Sequence, residues 1–264
     1  MKTNYKMILV AGLLITAPLL MLAQNVGIND DGSNPDNKAM LDVKSTTKGF
    51  LPPRMTYAER NSITGAPAGL IIWCTNCGTS GEMQVYNGTA WTNMVGGQAT
   101  PELVIGLNYQ GGIIAYILQS GDPGYVAGEV HGLIAAPSDQ SYTIWGSQWG
   151  CEGTAITGAD GTAIGTGNQN TLDIMAGCSE PGIAARICGD LVLNGYSDWY
   201  LPSIDELVML YHSKWTIGGF IDTEYYSSSE YDSSHALIYE FYFGVQIEYF
   251  TKSMECHVRA VRSF

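Results

Sequence analysis

The strongest helical pattern in the chain follows Pro202. Apolar residues recur at three- and four-residue spacing from Ile204 to Tyr211, which predicts one buried helical face. Ser203 and Glu206 stand three residues apart at the start of this run and match the capping box, in which each side chain accepts a hydrogen bond from the backbone N–H of the other residue. The pattern therefore predicts a helix that begins just after Ser203.

A second helix is predicted upstream, over about Pro181 to Asn194. Ser179 is its candidate N-cap, and a proline in the first turn suits a helix start. Ile183, Ile187 and Leu191 repeat every four residues and would form the buried stripe. Residues 145–170, which are nearly all small or polar, are predicted to form a long loop before this helix.

Beyond residue 236 the apolar period changes from helical spacing to two, which is typical of strands. Three consecutive antiparallel strands are predicted there: Leu237–Phe243, Val245–Thr251 and Cys256–Arg262. Two apolar runs upstream, Ile113–Leu118 and His131–Pro137, predict shorter strands. Two helices flanked by a β-meander make an α+β domain.

The first part of the chain contains short β-like runs between turn signals. Asn87-Gly88 between two such runs is the strongest hairpin signal, and Gly69–Trp73 reads as a buried strand. A Gly-rich break ending in Pro101 marks the boundary between domains. We therefore expect a β-rich module over 24–94, a linker over 95–105 and the larger domain over 106–264.

Residues 1–23 have the layout of a secretory signal peptide. Lys2 and Lys6 precede an apolar run from Met7 to Leu22, and Ala23 offers a small residue for cleavage. No later stretch reaches membrane-spanning length. We expect a protein that is secreted or held at the outer cell surface, without membrane insertion after cleavage.

The net charge of the chain limits the kinds of partner that we expect. The chain has 25 acidic and 12 basic residues and a formal net charge of −13. Nucleic acids and anionic surfaces attract clustered Lys and Arg, so a nucleic-acid partner is not expected.

Six cysteines follow the signal segment, and an even number in an exported chain indicates disulfides. Cys74 and Cys77 lie where a strand enters a turn, which favours a local staple over a redox motif. Cys151 lies on the predicted long loop, where a bridge to Cys178 would pin it. The remaining bridge would then join Cys188 to Cys256.

The region upstream of the break resembles a known module. Ala39–Ser45 and Lys48–Met55, with Arg60 and the hairpin ending at Trp91, are similar to a module repeated across exported proteins of Bacteroidetes-type bacteria and to head-proximal segments of phage tail fibres. The resemblance implies a small β-rich stalk or adaptor, often a homotrimer, without a catalytic role.

The larger domain carries a second resemblance. Gly195–Leu207, Tyr225–Glu230 and Val258–Arg262 resemble the Lcl C-terminal domain family, named for the tip domain of a collagen-like bacterial adhesin. That family is similar to formylglycine-generating-enzyme-like and C-type-lectin-like domains, so the resemblance implies a C-type-lectin-like fold. It assigns structural roles to these residues: Trp199, Pro202, Ser203, Glu206, Arg259 and Arg262.

Catalysis is not expected. The enzymatic relatives use a pair of cysteines near the final strands, whereas this chain has only Cys256 there. The four histidines, His131, His212, His235 and His257, lack the spacing of metal-hydrolase motifs. We therefore expect a protein that is not an enzyme and holds no metal at a catalytic site.

Cofactors are not expected either, with a structural calcium ion as the alternative. Calcium sites need several converging oxygen ligands, and neither ligand tripeptide of the calcium-dependent lectins occurs in the chain. Sulfated-glycan binding, which is associated with the adhesin that names the family, would need a basic surface that this acidic chain lacks.

The remaining candidate is a surface rich in tyrosine and serine, a composition that suits adaptable recognition. The candidate ligand-binding residues are Tyr225, Tyr226, Ser228, Glu230, Tyr231, Tyr239, Tyr242 and Tyr249. The alternative is that about half of these tyrosines pack the sheet. We expect a surface binding or adhesion protein for a glycan or protein ligand. The alternatives are a structural fibre or envelope component without a specific ligand and, third, a formylglycine-generating-type enzyme.

Overall fold

The computed structural model describes residues 25–141 and 145–264. The chain divides into two compact units, Met1–Leu51 and Pro52–Phe264. The predicted signal peptide lies outside the described residues. Among the described residues, no helix is long and apolar enough to cross a membrane.

The first unit is built on two short parallel strands, β1 (Val26–Asn29) and β2 (Leu41–Lys44). A turn-rich segment joins them. It is held by Asn29, whose Oδ1 accepts a hydrogen bond from the backbone N–H of Gly32 at 2.9 Å. Lys44 pairs with Asp31 across the same segment, and both side chains are more than half exposed.

The second unit begins with a small four-stranded sheet. Its strands, in spatial order, are β3 (Arg54–Met55), β4 (Ile71–Cys74), β5 (Glu82–Tyr86) and β6 (Trp91–Asn93). The short helix α1 (Tyr57–Asn61) connects the first two. The antiparallel pairing of β5 with β6 confirms the hairpin predicted at Asn87-Gly88, and Gly88 takes the positive φ that this turn needs.

Residues 95–105, predicted to be a linker, lie inside this second unit. The carbonyl of Pro101 accepts a hydrogen bond from the backbone N–H of Gly78 at 3.1 Å, and Leu103 is buried in the main core. The position of the domain boundary stays a prediction.

Three strands follow and form most of a second sheet: β7 (Asn108–Tyr109), β8 (Gly112–Ile117) and β9 (Gly132–Ala135). The strand β10 (Ser147–Gln148) comes next. Helix α2 (Gly167–Gly177) then begins inside the segment 145–170 that was predicted to be a loop. Its small and polar composition concealed it, because Asn170 and Thr171 are buried through hydrogen bonds rather than through an apolar stripe.

The predicted helix over 181–194 is shorter than expected. Helix α3 covers only Ala184–Gly189, and its N-cap is Ile183 instead of Ser179. Helix α4 (Ile204–His212) confirms the capping box, because the Ser203 hydroxyl accepts from Glu206 N and the Glu206 carboxylate accepts from Ser203 N. The short helix α5 (Lys214–Ile217) follows.

A three-stranded antiparallel meander comes next: β11 (Glu224–Glu230), β12 (His235–Glu240) and β13 (Val245–Thr251). The strand β14 (Glu255–Cys256) pairs with β10, and β15 (Val261–Ser263) pairs with β9. The prediction of a third consecutive meander strand over Cys256–Arg262 is therefore wrong. This segment is divided between two other sheets, since the chain returns to the edge of the second sheet to close the unit.

The central strand of the meander is buried on both faces. Ile238 packs in one apolar cluster with Ile114 and Trp149. Leu237 points to the other side, into a cluster with Leu207 of α4 and Val261 of the last strand. Several antiparallel sheets and five helices among the described residues make this an α+β architecture.

Candidate functional site

The structure does not bring the eight predicted ligand-binding residues together on one surface. Four of them are buried, Tyr225, Tyr226, Ser228 and Tyr239, and the side chain of the half-buried Glu230 is only 8% exposed. Only Tyr231, Tyr242 and Tyr249 are exposed, by 42 to 65% of their surface. The burial of Tyr225, Tyr226 and Tyr239 agrees with the alternative prediction, that about half of the candidate tyrosines pack the sheet.

The buried tyrosines use their hydroxyls inside the protein. Tyr225 donates to Asp139 Oδ2 at 2.9 Å, and Tyr226 donates to the carbonyl of Thr251 at 2.7 Å. Burial raises the pKa of both phenols. Each ring therefore contributes apolar area to the core while its polar end is satisfied by a partner, so neither is free to meet a ligand.

The serine run of β11 also faces inward. Three residues from Ser227 to Ser229 interrupt the regular register with β12 as a bulge. Within it, Ser227 Oγ donates to Leu237 O at 2.7 Å, and Ser229 Oγ accepts from Ile204 N at 3.1 Å. Ser228 Oγ accepts from the buried Asn170 at 3.1 Å. These hydroxyls join β11 to α2, α4 and β12, so their role is to satisfy buried backbone and amide groups.

Glu230 belongs to a buried ion pair. Its carboxylate contacts Lys252 Nζ and accepts from Ile156 N at 2.9 Å. Lys252 also lies over the ring of Trp149, 4.4 Å from its centroid, and donates to Thr154 O at 2.9 Å. The pair ties the 149–156 segment to the meander.

The exposed tyrosines lie around the hairpin of β12 and β13. Tyr231 donates a hydrogen bond to the hydroxyl of Tyr249 at 2.9 Å, and their rings meet edge to face. At the hairpin tip, Tyr242 and Phe243 project into solvent while both backbone N–H groups donate to the Glu240 carboxylate. Tyr231 and Tyr249 lie toward the other end of this hairpin, next to the pairing of Ala236 with Phe250. We call Tyr242 and Phe243, at the tip, the aromatic hairpin surface. The hydrogen bonds to Glu240 hold the backbone of this surface.

Two of the residues predicted to be structural, Arg259 and Arg262, are buried and form ion pairs. Arg259 is fully buried, donates to Asp139 Oδ1 at 2.8 Å and stacks on Phe220 with its guanidinium 3.8 Å from the ring centroid. Arg262 binds both carboxylate oxygens of Asp198, at 2.8 and 2.7 Å. This pairing lowers the pKa of Asp198.

The helix-start residues are buried as well. Glu206 accepts from Ser203 N at 2.8 Å, from Gly165 N at 2.9 Å and from the Tyr200 hydroxyl at 3.2 Å. Burial raises the pKa of this carboxyl. Pro202 is buried beside it. Trp199 is buried in the main core, and its indole N–H has no hydrogen-bond partner within residues 25–141 and 145–264.

Two of the three predicted disulfides are confirmed, Cys74–Cys77 and Cys151–Cys178. The third is wrong: Cys188 and Cys256 are free and buried, in helix α3 and strand β14. Burial raises the pKa of both thiols, which makes them poor nucleophiles. Sequence spacing could not distinguish the bridged cysteines from the free ones, because pairing depends on whether the elements that carry the two cysteines lie side by side in the fold.

One cluster contains the residue types of a nucleophilic triad. His257 lies near Ser141 Oγ, at 3.4 Å, and near Asp139 Oδ2, at 3.5 Å, but both contacts are to the same ring nitrogen, Nδ1. A triad needs the nucleophile and the carboxylate on opposite nitrogens. Asp139 is already bound by Arg259 and Tyr225, so this cluster anchors the last strands.

Metal-ligand residue types also converge once in the described part of the chain. Cys151, Cys178 and Glu180 lie within ligand distance of one another. The two sulfurs form a disulfide and are not thiolates, so this set does not suit a metal ion.

The first unit has an exposed apolar face that the sequence-based choice of candidate residues did not include. The register of β1 and β2 sets Val26 against Leu41 and Ile28 against Val43, which places these four side chains on one face. All four are 43 to 57% exposed. We call this set the apolar ribbon face. The alternation of apolar residues in both strands was the signal that could have identified it.

Comparison with known proteins bears on this same region. Residues 27–106 match the family described as a phage tail like trimerisation region. No curated protein matches the chain. The match begins at the second residue of β1, covers β2 and the small four-stranded sheet, and ends just before the second sheet begins. It supports the predicted tail-fibre-like module and a homotrimeric state for it.

Proposed function

We propose that this protein is an exported structural subunit of a trimeric fibre-like assembly, joined through its N-terminal region. The observation that carries the proposal is that three of the four residues of the apolar ribbon face, Ile28, Leu41 and Val43, lie in the matched trimerisation region. The signal pattern over residues 1–23 and the disulfides support a location outside the cytoplasm.

The ribbon needs a partner for a physical reason. A two-stranded sheet is marginal by itself in water, and apolar side chains stabilise it only when they leave water. Around a threefold axis, three copies could bury Val26, Ile28, Leu41 and Val43 against each other. Exposed pairs such as Lys44 with Asp31 would remain on the outside.

The experiment is a mass measurement by light scattering on the chain from Gln24 onward. We expect a trimer for the natural sequence and a monomer after Ile28→Lys with Val43→Lys, because charges on the ribbon face cannot be buried together. The matched control, Asn34→Lys with Asn37→Lys, adds the same charge in the exposed turn and should remain trimeric. A monomeric natural chain would contradict the proposal.

We propose that the predicted domain over residues 106–264 is the recognition part of the fibre, with a C-type-lectin-like fold and no catalytic activity. The specific observation in favour is the aromatic hairpin surface, which exposes Tyr242 and Phe243 on a backbone held by Glu240. Rigid aromatic residues give large contact area at low entropic cost. The ligand would be a protein or a glycan.

This second part is tested by binding of the trimer to protein and glycan arrays. We expect a binder whose signal falls after Tyr242→Ala with Phe243→Ala and persists after the exposed substitution Leu172→Ala. If every binder ignores the hairpin substitutions, the hairpin is not the recognition surface.

A further inference from the structure

A pocket of about 320 Å³ opens beside the turn between β7 and β8. This volume lies within the range of small-molecule sites. Its lining residues are Asn108, Tyr109, Gln110, Gly111, Gly112, Pro137 and Asn194. The lining contains three side-chain amides, one aromatic ring and no charged side chain.

The Gln110 amide is held in one orientation. Arg262 Nη1 donates to Gln110 Oε1 at 2.9 Å. Because a guanidinium only donates, the amide oxygen must face it, and the Gln110 NH₂ remains as a donor. Arg262 is itself only 6% exposed and is fixed by Asp198 and by the ring of Tyr196, 4.2 Å away.

The Asn194 amide is held in the opposite sense. Its Nδ2 donates to the carbonyl of Gly111 at 2.8 Å, so its Oδ1 remains as an acceptor. The Asn108 side chain makes no hydrogen bond to any residue that the structure describes, which leaves both its donor and its acceptor available. The three amides together offer an oriented donor, an oriented acceptor and one group that can do both.

Both amides are carried by tight two-residue turns. Gln110 and Gly111 join the antiparallel strands β7 and β8, and Asn194 and Gly195 lie between the bridged residues Leu193 and Tyr196. All four central residues have positive φ, from 43° to 88°, as such turns require. The turns therefore fix the backbone that carries the Gln110 and Asn194 amides.

We propose that this pocket binds one neutral sugar unit, free or at the end of a glycan. Vicinal hydroxyls both donate and accept, which matches paired amides. The half-buried ring of Tyr109, which meets Phe264 edge to face, borders the pocket and adds apolar area. The uncharged lining and a net charge of −13 disfavour sulfated or sialylated sugars. Strand addition by a peptide would need a longer edge than the two residues of β7.

The test measures the binding of four methyl glycosides to the chain from Gln24 onward by saturation-transfer NMR. The four are the glycosides of glucose, galactose, mannose and N-acetylglucosamine. We expect saturable binding of at least one of them. Asn108→Ala and Asn194→Gly should each weaken it about 2- to 10-fold, as expected for the loss of one or two neutral hydrogen bonds. Glycine at 194 keeps the backbone conformation, and Asn168→Ala, at an exposed asparagine on α2, is the matched control.

Three results would overturn the proposal. One is no binding of any of the four glycosides by protein with the natural melting temperature. The others are stronger binding of a sulfated or peptide probe at this pocket, and sugar binding that Tyr242→Ala with Phe243→Ala abolishes while the amide variants leave it intact. The mass of each sample separates this proposal from the assembly, because a monomer that still binds sugar contradicts only the trimer.

Discussion

The two compact units treat their apolar residues in opposite ways. In the larger unit, Ile114, Ile134 and Trp149 are completely buried within the single chain. In the first unit, Val26 and Ile28 alternate as regularly as any core strand and yet remain more than half exposed. The difference teaches that an alternating apolar pattern does not by itself mean burial within one copy of the chain; in the proposed trimer, the partner copies would supply that burial.

Ion pairs show the same contrast. Lys252 and Glu230 are buried at 0 and 8% side-chain exposure, whereas Lys44 and Asp31 are at 59 and 52%. Desolvation makes a buried charge dependent on its partner, while solvent replaces the partner of an exposed one. The two pairs therefore provide matched substitutions for the strongest test of the comparison.

The largest effect is expected from Lys252→Met. It leaves Glu230 buried without a cation and should lower the free energy of unfolding by about 3–5 kcal/mol. Lys44→Met in the first unit should cause a far smaller loss, since both partners are solvated. Urea denaturation followed by circular dichroism, to which the backbone of both units contributes, gives both values; the first unit contains no tryptophan that fluorescence could follow. Equal losses would show that the units do not differ in this way.

The second effect concerns the disulfides, both of which lie in the larger unit. The bridge Cys151–Cys178 spans 27 residues and Cys74–Cys77 spans 3. Loop closure then predicts losses of about 3.5 and 1.5 kcal/mol in the free energy of unfolding when each pair is replaced by serine.

The same disulfide assignment predicts the number of free thiols. Denaturation without reductant should expose two reactive thiols per chain, from Cys188 and Cys256. None or more than two would contradict the assignment.

The smallest effect is a pH dependence with opposite sign in the two units. Burial raises the pKa of Glu206, so the native state keeps a proton that the unfolded state releases near pH 4.5. The contribution of this proton to the free energy of unfolding is therefore full below pH 4.5. It is lost as the pH rises through the native pKa. Lys44 lowers the pKa of Asp31, whose contribution is present above 3.8 and lost as pH falls through the native pKa.

The measurement is the melting temperature of Glu206→Gln and Asp31→Asn against the natural chain from acid to neutral pH. Glu206→Gln should cost about 1–3 kcal/mol, because an amide nitrogen cannot accept the bonds that the carboxylate accepts. Its penalty should shrink as pH rises, whereas that of Asp31→Asn should shrink as pH falls. Parallel curves for the two variants would remove this distinction between the units.

The sequence by itself determined the features that depend on neighbours along the chain. The capping box at Ser203 needs residues three apart, the hairpin at Asn87-Gly88 needs one turn, and the Cys74–Cys77 staple needs one short loop. Each is decided by local geometry, so a single sequence contains the necessary information.

Tertiary structure alone decided which of the candidate tyrosines and serines are exposed and could contact a ligand. Tyr225 and Ser228 are buried because β11 lies between helices and the rest of the meander, and Tyr249 is exposed because β13 lies at an edge. The separation of Cys188 from Cys256 and the oriented amides of Gln110 and Asn194 likewise depend on elements brought together from distant parts of the chain. Such contacts carry no local periodic signal, since their partners are set by packing across the whole unit.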